Sequence, residues 1–261
     1  MHTIDLDIAH EPLYLCCLED WSAEMAEAGA HKARWYARMK EQGLRVKLAV
    51  DDDGAVAGMI QYLPIEASFV QGSGLYHILC TWVHGHRAGV GPRQGHGLGA
   101  MLLQAAEDEA RTLGAKGMSA WGLTIPVWMR ARWYRRHGYR PAERDGISLL
   151  LWKAFEPEAQ APRWIKAVRA PERAPGQVKV TAFVNGWCPA QAITYERARR
   201  AAAEIGEPVV FEGIDTGDRE TFLAWGISDG LYINGRPVRT GPPPSYEQLL
   251  ARLAREARRL R

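Results

Sequence analysis

Gln94-Gly95-His96-Gly97-Leu98-Gly99 runs directly into Ala100-Met101-Leu102-Leu103-Gln104-Ala105-Ala106-Glu107-Asp108-Glu109-Ala110-Arg111, a glycine-rich turn opening an amphipathic helix. Its glycines let the backbone curl so that successive N–H groups face one concavity, and the free amides and dipole of the helix add partial positive charge. Such a turn suits a phosphate. Upstream, Tyr76-His77-Ile78-Leu79-Cys80-Thr81-Trp82-Val83 has the β-branched and aromatic character of a strand. The spacing excludes two familiar phosphate loops: no Gly-Lys-Ser/Thr closes it, and position 102, where a dinucleotide fold needs a third glycine, is Leu.

At 261 residues and 47% apolar content the chain is long enough for two domains, and its middle suggests a division. A net charge of +3 gives no electrostatic argument for nucleic acid, and the basic end from Arg252 to Arg261 reads as the exposed face of a last helix. No apolar run approaches the roughly 20 residues that span a bilayer, and charges stand where a signal peptide would have its apolar core. No membrane partner is expected, and the expected location is the cytoplasm. The four cysteines, two of them adjacent, show no disulfide spacing.

Patterning predicts a strand within 1–8, helices over 12–27 and 30–42, and a hairpin of 44–50 and 56–63 about Asp51-Asp52-Asp53-Gly54. A strand at 75–83, the phosphate-side helix at 98–113, a strand at 118–123, a helix at 126–136 and strands at 138–140 and 147–152 follow. Residues 156–176, rich in proline and alanine with Trp164-Ile165 and Val168 as apolar anchors, read as a linker. The pattern then restarts: strand 178–184, helix 192–205, strand 209–213, helix 219–224, strand 231–233, a turn at Asn234-Gly235, strand 237–239 and helix 246–259.

Two ordered motifs carry a family resemblance. Gln94-x-x-Gly97-x-Gly99 at the mouth of a helix resembles the acyl-CoA pyrophosphate loop of the GNAT acetyltransferases, and Trp133-Tyr134-Arg135-Arg136-His137-Gly138-Tyr139 is similar to that family's Tyr-x-x-x-Gly-Phe/Tyr helix end and strand start. For residues 1–155 the resemblance implies an α/β fold, a mixed β-sheet flanked by helices. It also implies an N-acetyltransferase that takes acetyl-CoA as cosubstrate and passes the acetyl group directly to an amine of a small molecule or peptide. The turn Gln94, Gly95, His96, Gly97, Leu98, Gly99 and Ala100 would hold the pyrophosphate, Trp82 and Val83 at the strand end the pantetheine arm, and Tyr134 would be the general acid. The first two helices would flank the acceptor, with Trp21, Trp35, Trp121 and Trp128 as aromatic candidates for its pocket.

The chain departs from the family pattern twice. Val83 and Gln94 are farther apart than usual, with a second glycine run from Gly85 to Gly91 between them; Gly97-Leu98-Gly99 is the preferred register because a long amphipathic helix follows it. Val127, seven residues before Tyr134, stands where the family often has an asparagine. For the general base, Glu66, His77, Thr81 and His84 remain open. His84-Gly85-His86 lacks a partner motif, and no metal is expected.

The order βαβαββα after residue 177, with Trp187-Cys188-Pro189 at the first strand-to-helix junction, resembles a thioredoxin-like domain, and the whole chain is similar to YoaP-type acetyltransferases. Gln191 in place of a second cysteine excludes a dithiol cycle, leaving packing, homodimerisation or shaping of the acceptor pocket. A rival reading is a thiol-based sensor in which Cys16, Cys17, Cys80 and Cys188 bind a thiophilic ion or a protein partner.

Overall fold

The computed structural model describes residues 1–238 and 242–260. In chain order the elements are β1 (His2–Asp5), α1 (Glu11–Leu15), α2 (Ala23–Ala26), α3 (His31–Glu41), β2 (Arg45–Val50), β3 (Val56–Pro64), β4 (Val70–Gln71), β5 (Leu75–Val83), α4 (Leu98–Thr112), β6 (Gly117–Leu123), α5 (Ala131–Arg136), β7 (Arg140–Asp145), β8 (Ser148–Ala154), β9 (Arg163–Trp164), β10 (Val178–Val184), α6 (Pro189–Ile205), β11 (Val209–Asp215), α7 (Arg219–Trp225), β12 (Gly230–Ile233), β13 (Arg236–Pro237) and α8 (Tyr246–Arg258). The chain divides into two compact units, Met1–Trp21 with Ala37–Ile165, and Ser22–Tyr36 with Lys166–Arg261.

In the first unit the described strands form a seven-stranded mixed sheet in the order β1-β2-β3-β5-β6-β8-β7. The β2–β3 hairpin forms where the Asp-Gly turn predicts it, because the Asp51 carboxylate accepts the N–H groups of Asp53 (3.0 Å) and Ala55 (2.9 Å). β3 is buried along nearly its whole length, as a central strand covered on both faces must be. α4 lays Leu98, Leu102, Leu103, Ala106 and Ala110 onto the sheet. Glu107 is buried among them and paired with Lys153 Nζ at 2.6 Å.

Two predicted helices are shorter than their patterning suggests. The helix expected over 12–27 is interrupted into α1, which stops at Leu15, and the single turn α2, because Cys17 and Leu18 take left-handed backbone (φ 54° and 63°). The Leu18 N–H turns back to Leu13 O at 2.9 Å and the Cys17 N–H to Tyr14 O at 3.0 Å, a helix terminus usually made with glycine. The helix expected over 126–136 begins at Ala131, since the N–H groups of Leu123 and Thr124 are drawn to Met129 O (2.7 Å) and Ile147 O (2.8 Å) and Met129 is itself left-handed at φ 51°. Within 156–176, Arg163–Trp164 pairs with Val70–Gln71 as a small separate sheet, and the Trp164 indole stacks on Phe69 at 6.4 Å.

In the second unit the described strands form a four-stranded sheet, β11-β10-β12-β13, with β10 parallel to β11 and antiparallel to β12. The fourth strand of the sequence reading for this unit, 237–239, overlaps β13 only at Pro237, and its last residue, Arg239, lies outside the described residues. α6 begins at Pro189, three residues earlier than patterning indicates, with Cys188 as its N-cap. α8 opens on a capping box between Ser245 and Gln248. From the N-terminal part of the chain, Met25 and Ala28 join Val184, Ala192 and Ile193 in one apolar cluster of this unit.

Candidate active site

The site begins where two parallel strands part. β5 pairs with β6 over Leu75–Ile78 against Gly117–Ala120, whereas β5 runs on to Val83 and β6 to Leu123. Beyond Ile78 the β5 edge facing β6 therefore has backbone groups without a strand partner, which buried backbone must satisfy elsewhere. Trp121 Nε1–H donates to Leu79 O at 2.8 Å, and Thr81 N–H points at the Met129 thioether, 3.4 Å away.

A cavity of about 550 Å³ opens from this split, within the ordinary range for one small ligand. Its walls include the predicted residues Trp82, Val83, Gln94, Gly95, Gly97, Leu98, Gly99, Ala100 and Tyr134; His96 is not among the described lining residues. Thr81, Arg93, Val127, Trp128, Met129, Arg130 and Trp133 complete the lining. The sequence reading passed over Arg93, whose signal was its place directly before Gln94. It also passed over Met129, whose position in the cleft depends on a left-handed backbone that no periodicity reports.

The long excursion between Val83 and Gln94 closes on itself. Arg93 N–H returns to His84 O at 2.8 Å, and Gln94 Nε2 donates to Val83 O at 3.1 Å, so strand end and glycine turn meet despite the added residues. Arg93 is further tied to Asp51 (2.7 Å) and Asp53 (3.2 Å) at the β2–β3 turn. That guanidinium, hydrogen-bonded to Asp51, holds its carboxyl below the usual carboxylate range. Gly97 caps α4 in left-handed conformation (φ 84°), and there is open space where a side chain would begin. The first-turn amides of α4 thus lie at the cavity wall, where the helix dipole adds positive potential.

Tyr134 is fully buried in the same cleft. Its hydroxyl lies 3.0 Å from Thr81 Oγ1 and 3.6 Å from Met129 Sδ. Burial pushes its phenol above the ordinary value, with the Thr81 contact acting the other way.

The four candidate bases fare differently. Glu66 accepts the Gly74 N–H at 2.8 Å. His77 is fully buried against Ser119 Oγ (2.9 Å), and burial pushes it down to about 3. His84, also fully buried, uses both ring nitrogens: Nδ1–H donates to Gly91 O at 2.9 Å and Nε2 accepts from Trp21 Nε1–H at 3.2 Å. Thr81 is occupied with Tyr134. His86, read from the sequence only as half of a metal pair, instead stands half-exposed with Nε2 3.6 Å from Glu19, between the rings of Trp21 and Trp82 at 5.2 and 5.9 Å.

Among the described residues there is no disulfide and no group of three or more His, Cys, Asp or Glu side chains placed to hold a metal. Among them, too, no helix is long and apolar enough to cross a membrane.

The acetyltransferase (GNAT) family model matches residues 8–139. No curated protein matches the chain. Among solved structures, a GNAT family acetyltransferase from Brucella melitensis in complex with acetyl-CoA is 19% identical, covering 62% of this chain and 94% of its own at a TM-score of 0.42. A GNAT family N-acetyltransferase from Escherichia coli in complex with CoA is 19% identical over 58% of this chain and 79% of its own, TM-score 0.41. An acetyltransferase of the GNAT family from Staphylococcus aureus is 10% identical over 59% of this chain and 99% of its own, TM-score 0.44. With half of its 261 residues matched by the family model, including the glycine turn, the split strands and Tyr134, the chain belongs to the acetyltransferase (GNAT) family, a family of acyltransferases.

Proposed function

We propose that the chain is an acetyl-CoA-dependent N-acetyltransferase that passes the acetyl group directly to an amine of a small molecule or peptide. The observation that carries this reading is a single cavity lined by the α4 N-terminus, the free edge of β5 and Tyr134. Gln94 to Ala100 present backbone N–H groups to a pyrophosphate, and Trp82 and Val83 present the strand edge to the pantetheine arm. Transfer forms a C–N bond and breaks a C–S bond. His86, backed by Glu19, takes a proton from the ammonium, and Tyr134 donates to the departing sulfur while the acylated nitrogen releases its remaining surplus proton to solvent. Because burial disfavours the phenolate, Tyr134 enters each turnover protonated.

The second unit is read as thioredoxin-like, supported by its βαβαββα order and its β11-β10-β12-β13 sheet. With Cys188 at the start of α6 and Gln191 where a second thiol would stand, its role is packing, homodimerisation or shaping the acceptor pocket, in a cytoplasmic enzyme.

Calorimetric titration of acetyl-CoA into wild type and into the double variant Gly97→Leu/Gly99→Leu tests the reading. Micromolar binding lost in a variant of unchanged circular dichroism supports it. Absence of heat with wild type overturns it.

A further inference from the structure

A second cavity, of about 610 Å³, lies in the first unit. Gln71, Ser73, Lys116, Glu158, Gln160 and Arg163 line it, and none of them borders the candidate active site. Ser73 stands two residues before β5 and Lys116 directly before β6, whereas the active-site cavity opens at the other ends of the same strands. The nine residues of β5, at about 3.3 Å each, separate the two by roughly 25 Å along the strand.

Backbone pairing fastens its walls. β4 and β9 pair with Gln71 opposite Arg163 and Val70 opposite Trp164. Opposed residues of an antiparallel pair share a face, so Val70 and Trp164 pack beside Ile65 and Leu75 while the Gln71 amide and the Arg163 guanidinium turn to the cavity. Between β4 and β5 the chain turns through Gly72-Ser73-Gly74, where a Cβ at position 72 would lie 2.5 Å from Ile65 Cδ1 and Glu66 accepts the Gly74 N–H at 2.8 Å. Lys116 N–H donates to Gly74 O at 2.8 Å, and Lys116 O accepts from the N–H groups of Phe155 (2.8 Å) and Glu156 (3.1 Å). The backbone of Lys116 thus joins the turn to the stretch that carries Glu158 and Gln160.

The charges on these walls are not used within the fold. Among the described residues, the Lys116 ammonium, the Arg163 guanidinium and the Glu158 carboxylate take part in no ion pair and no side-chain hydrogen bond, although all three line one recess. Two cations in a recess repel each other until an anion lies between them, and charges there are screened less than on open surface. Gln71, Ser73 and Gln160 add neutral donors and acceptors. We propose that this cavity binds an α-amino acid with an acidic side chain, its two carboxylates meeting Lys116 and Arg163 and its ammonium meeting Glu158. Arg163 offers a planar fork to one carboxylate and Lys116 a point charge to the other. A phosphate or a plain dicarboxylate would use both cations but leave Glu158 facing further negative charge. The proposal stands apart from the acyl-CoA reading, since no step of acyl transfer passes through this cavity.

Calorimetric titration of the full chain tests this, with L-aspartate and L-glutamate each set beside its analogue without the amine, succinate or glutarate, and with inorganic phosphate as the plain anion. One of the two amino acids is expected to bind with a Kd below about 1 mM. Its analogue keeps both carboxylates but lacks the ammonium, and should bind at least ~10-fold more weakly, the equivalent of one charge-assisted contact. Lys116→Met and Arg163→Met should each weaken the amino acid by at least ~10-fold, and Glu158→Gln should bring it and its analogue to within about threefold of each other. All three side chains are exposed, so the variants are expected to keep the wild-type circular dichroism. Phosphate binding as tightly as the amino acid would reduce the cavity to an unselective pair of cations and overturn the proposal. An unchanged preference over the analogue in Glu158→Gln overturns it too, as does the absence of heat from both amino acids at about 10 mM with wild type.

Discussion

Tyr134 Oη and Thr81 Oγ1 lie 3.0 Å apart at the point where β5 has separated from β6. This contact orients the phenol toward the strand edge, and the burial that surrounds it keeps the proton on. Replacing Tyr134 by Phe retains the ring packed on Trp133 and Tyr139 and removes the proton. With an amine found by acceptor screening, kcat is expected to fall by about 100-fold or more, the range of a lost general acid. The Kd for acetyl-CoA measured by calorimetry should stay within about threefold, since neutral hydrogen bonds contribute modestly to binding. Because the phenol pKa is raised, the wild-type kcat profile should show no loss of this acid up to about pH 10, the ordinary tyrosine value. A kcat that survives the substitution would remove Tyr134 from the mechanism.

Gln94 and His96 make a second, contrasting prediction. The Gln94 amide fastens the glycine turn to the end of β5, whereas His96 is exposed and outside the described cavity lining. Gln94→Ala should weaken acetyl-CoA binding by about three- to tenfold, the equivalent of one hydrogen bond. His96→Ala should leave it unchanged. The reverse order of effects would mean that this turn binds through the imidazole rather than through backbone organised by Gln94.

The hairpin, the glycine turn and α4 were legible because each carries its own local chemistry: an Asp-Gly turn, a left-handed cap, and a run of apolar residues on one helical face. The failures share one cause. Cys17, Leu18 and Met129 take backbone that usually marks glycine, held by local turn hydrogen bonds to carbonyls or N–H groups three to six residues away, so the periodic pattern overran the true helix ends. The assignment of Ser22–Tyr36 to the second unit was equally hidden. Amphipathic spacing shows that Met25 and Ala28 seek an apolar surface, but not that Val184, Ala192 and Ile193, more than 150 positions later, provide it. At the site, the motifs led to Tyr134 and the turn. Arg93 and Met129, which line the same cavity, owe their places to loops whose paths depend on the folded sheet.

His77 gives a prediction about acid stability. It is fully buried, its pKa is pushed down to about 3 by desolvation, and among the described residues its Nε2 has no hydrogen-bond partner. The unfolded chain therefore takes up a proton near pH 6.5 that the folded chain refuses, and stability declines as pH falls from about 6.5 toward the folded value. The slope is about 1.4 kcal/mol per pH unit for this one group. His77→Phe keeps a ring against Phe69 and removes the titration. Urea midpoints for the variant should fall less steeply between pH 6.5 and 4.5 than those of wild type; parallel curves would show that His77 is protonated in the fold or that other groups dominate.

Arg197 bears on how the segment Ser22–Tyr36 is held within its unit. Its guanidinium reaches Glu27 through Nη2 (2.7 Å) and Nε (3.2 Å), Glu24 at 2.9 Å and Pro244 O at 3.1 Å, and Arg200 also pairs with Glu27. Hydrogen bonding to Arg197 holds the Glu27 carboxyl below its ordinary range. Stability from this group is therefore present above the unfolded glutamate pKa, about 4.3, and disappears as pH falls through the lower folded value. Arg197→Met keeps the aliphatic stem and leaves Glu27 with Arg200. The expected cost is about 2 kcal/mol, below that of breaking a fully buried pair because Glu24 is half-exposed and screened. Arg197→Lys should recover only part of it, since an ammonium cannot reproduce the planar fork. Hydrogen exchange decides whether the cost is local: amides of residues 23–31 should lose protection first, while those of the central strands β3 and β5 remain protected. If protection at 23–31 is unchanged in a folded Arg197→Met protein, the apolar contacts of Met25 and Ala28 hold the segment without this ion cluster. Truncation before residue 166 is a poor substitute for the point variant, because it would remove the partners of a segment that lies between two stretches of the first unit.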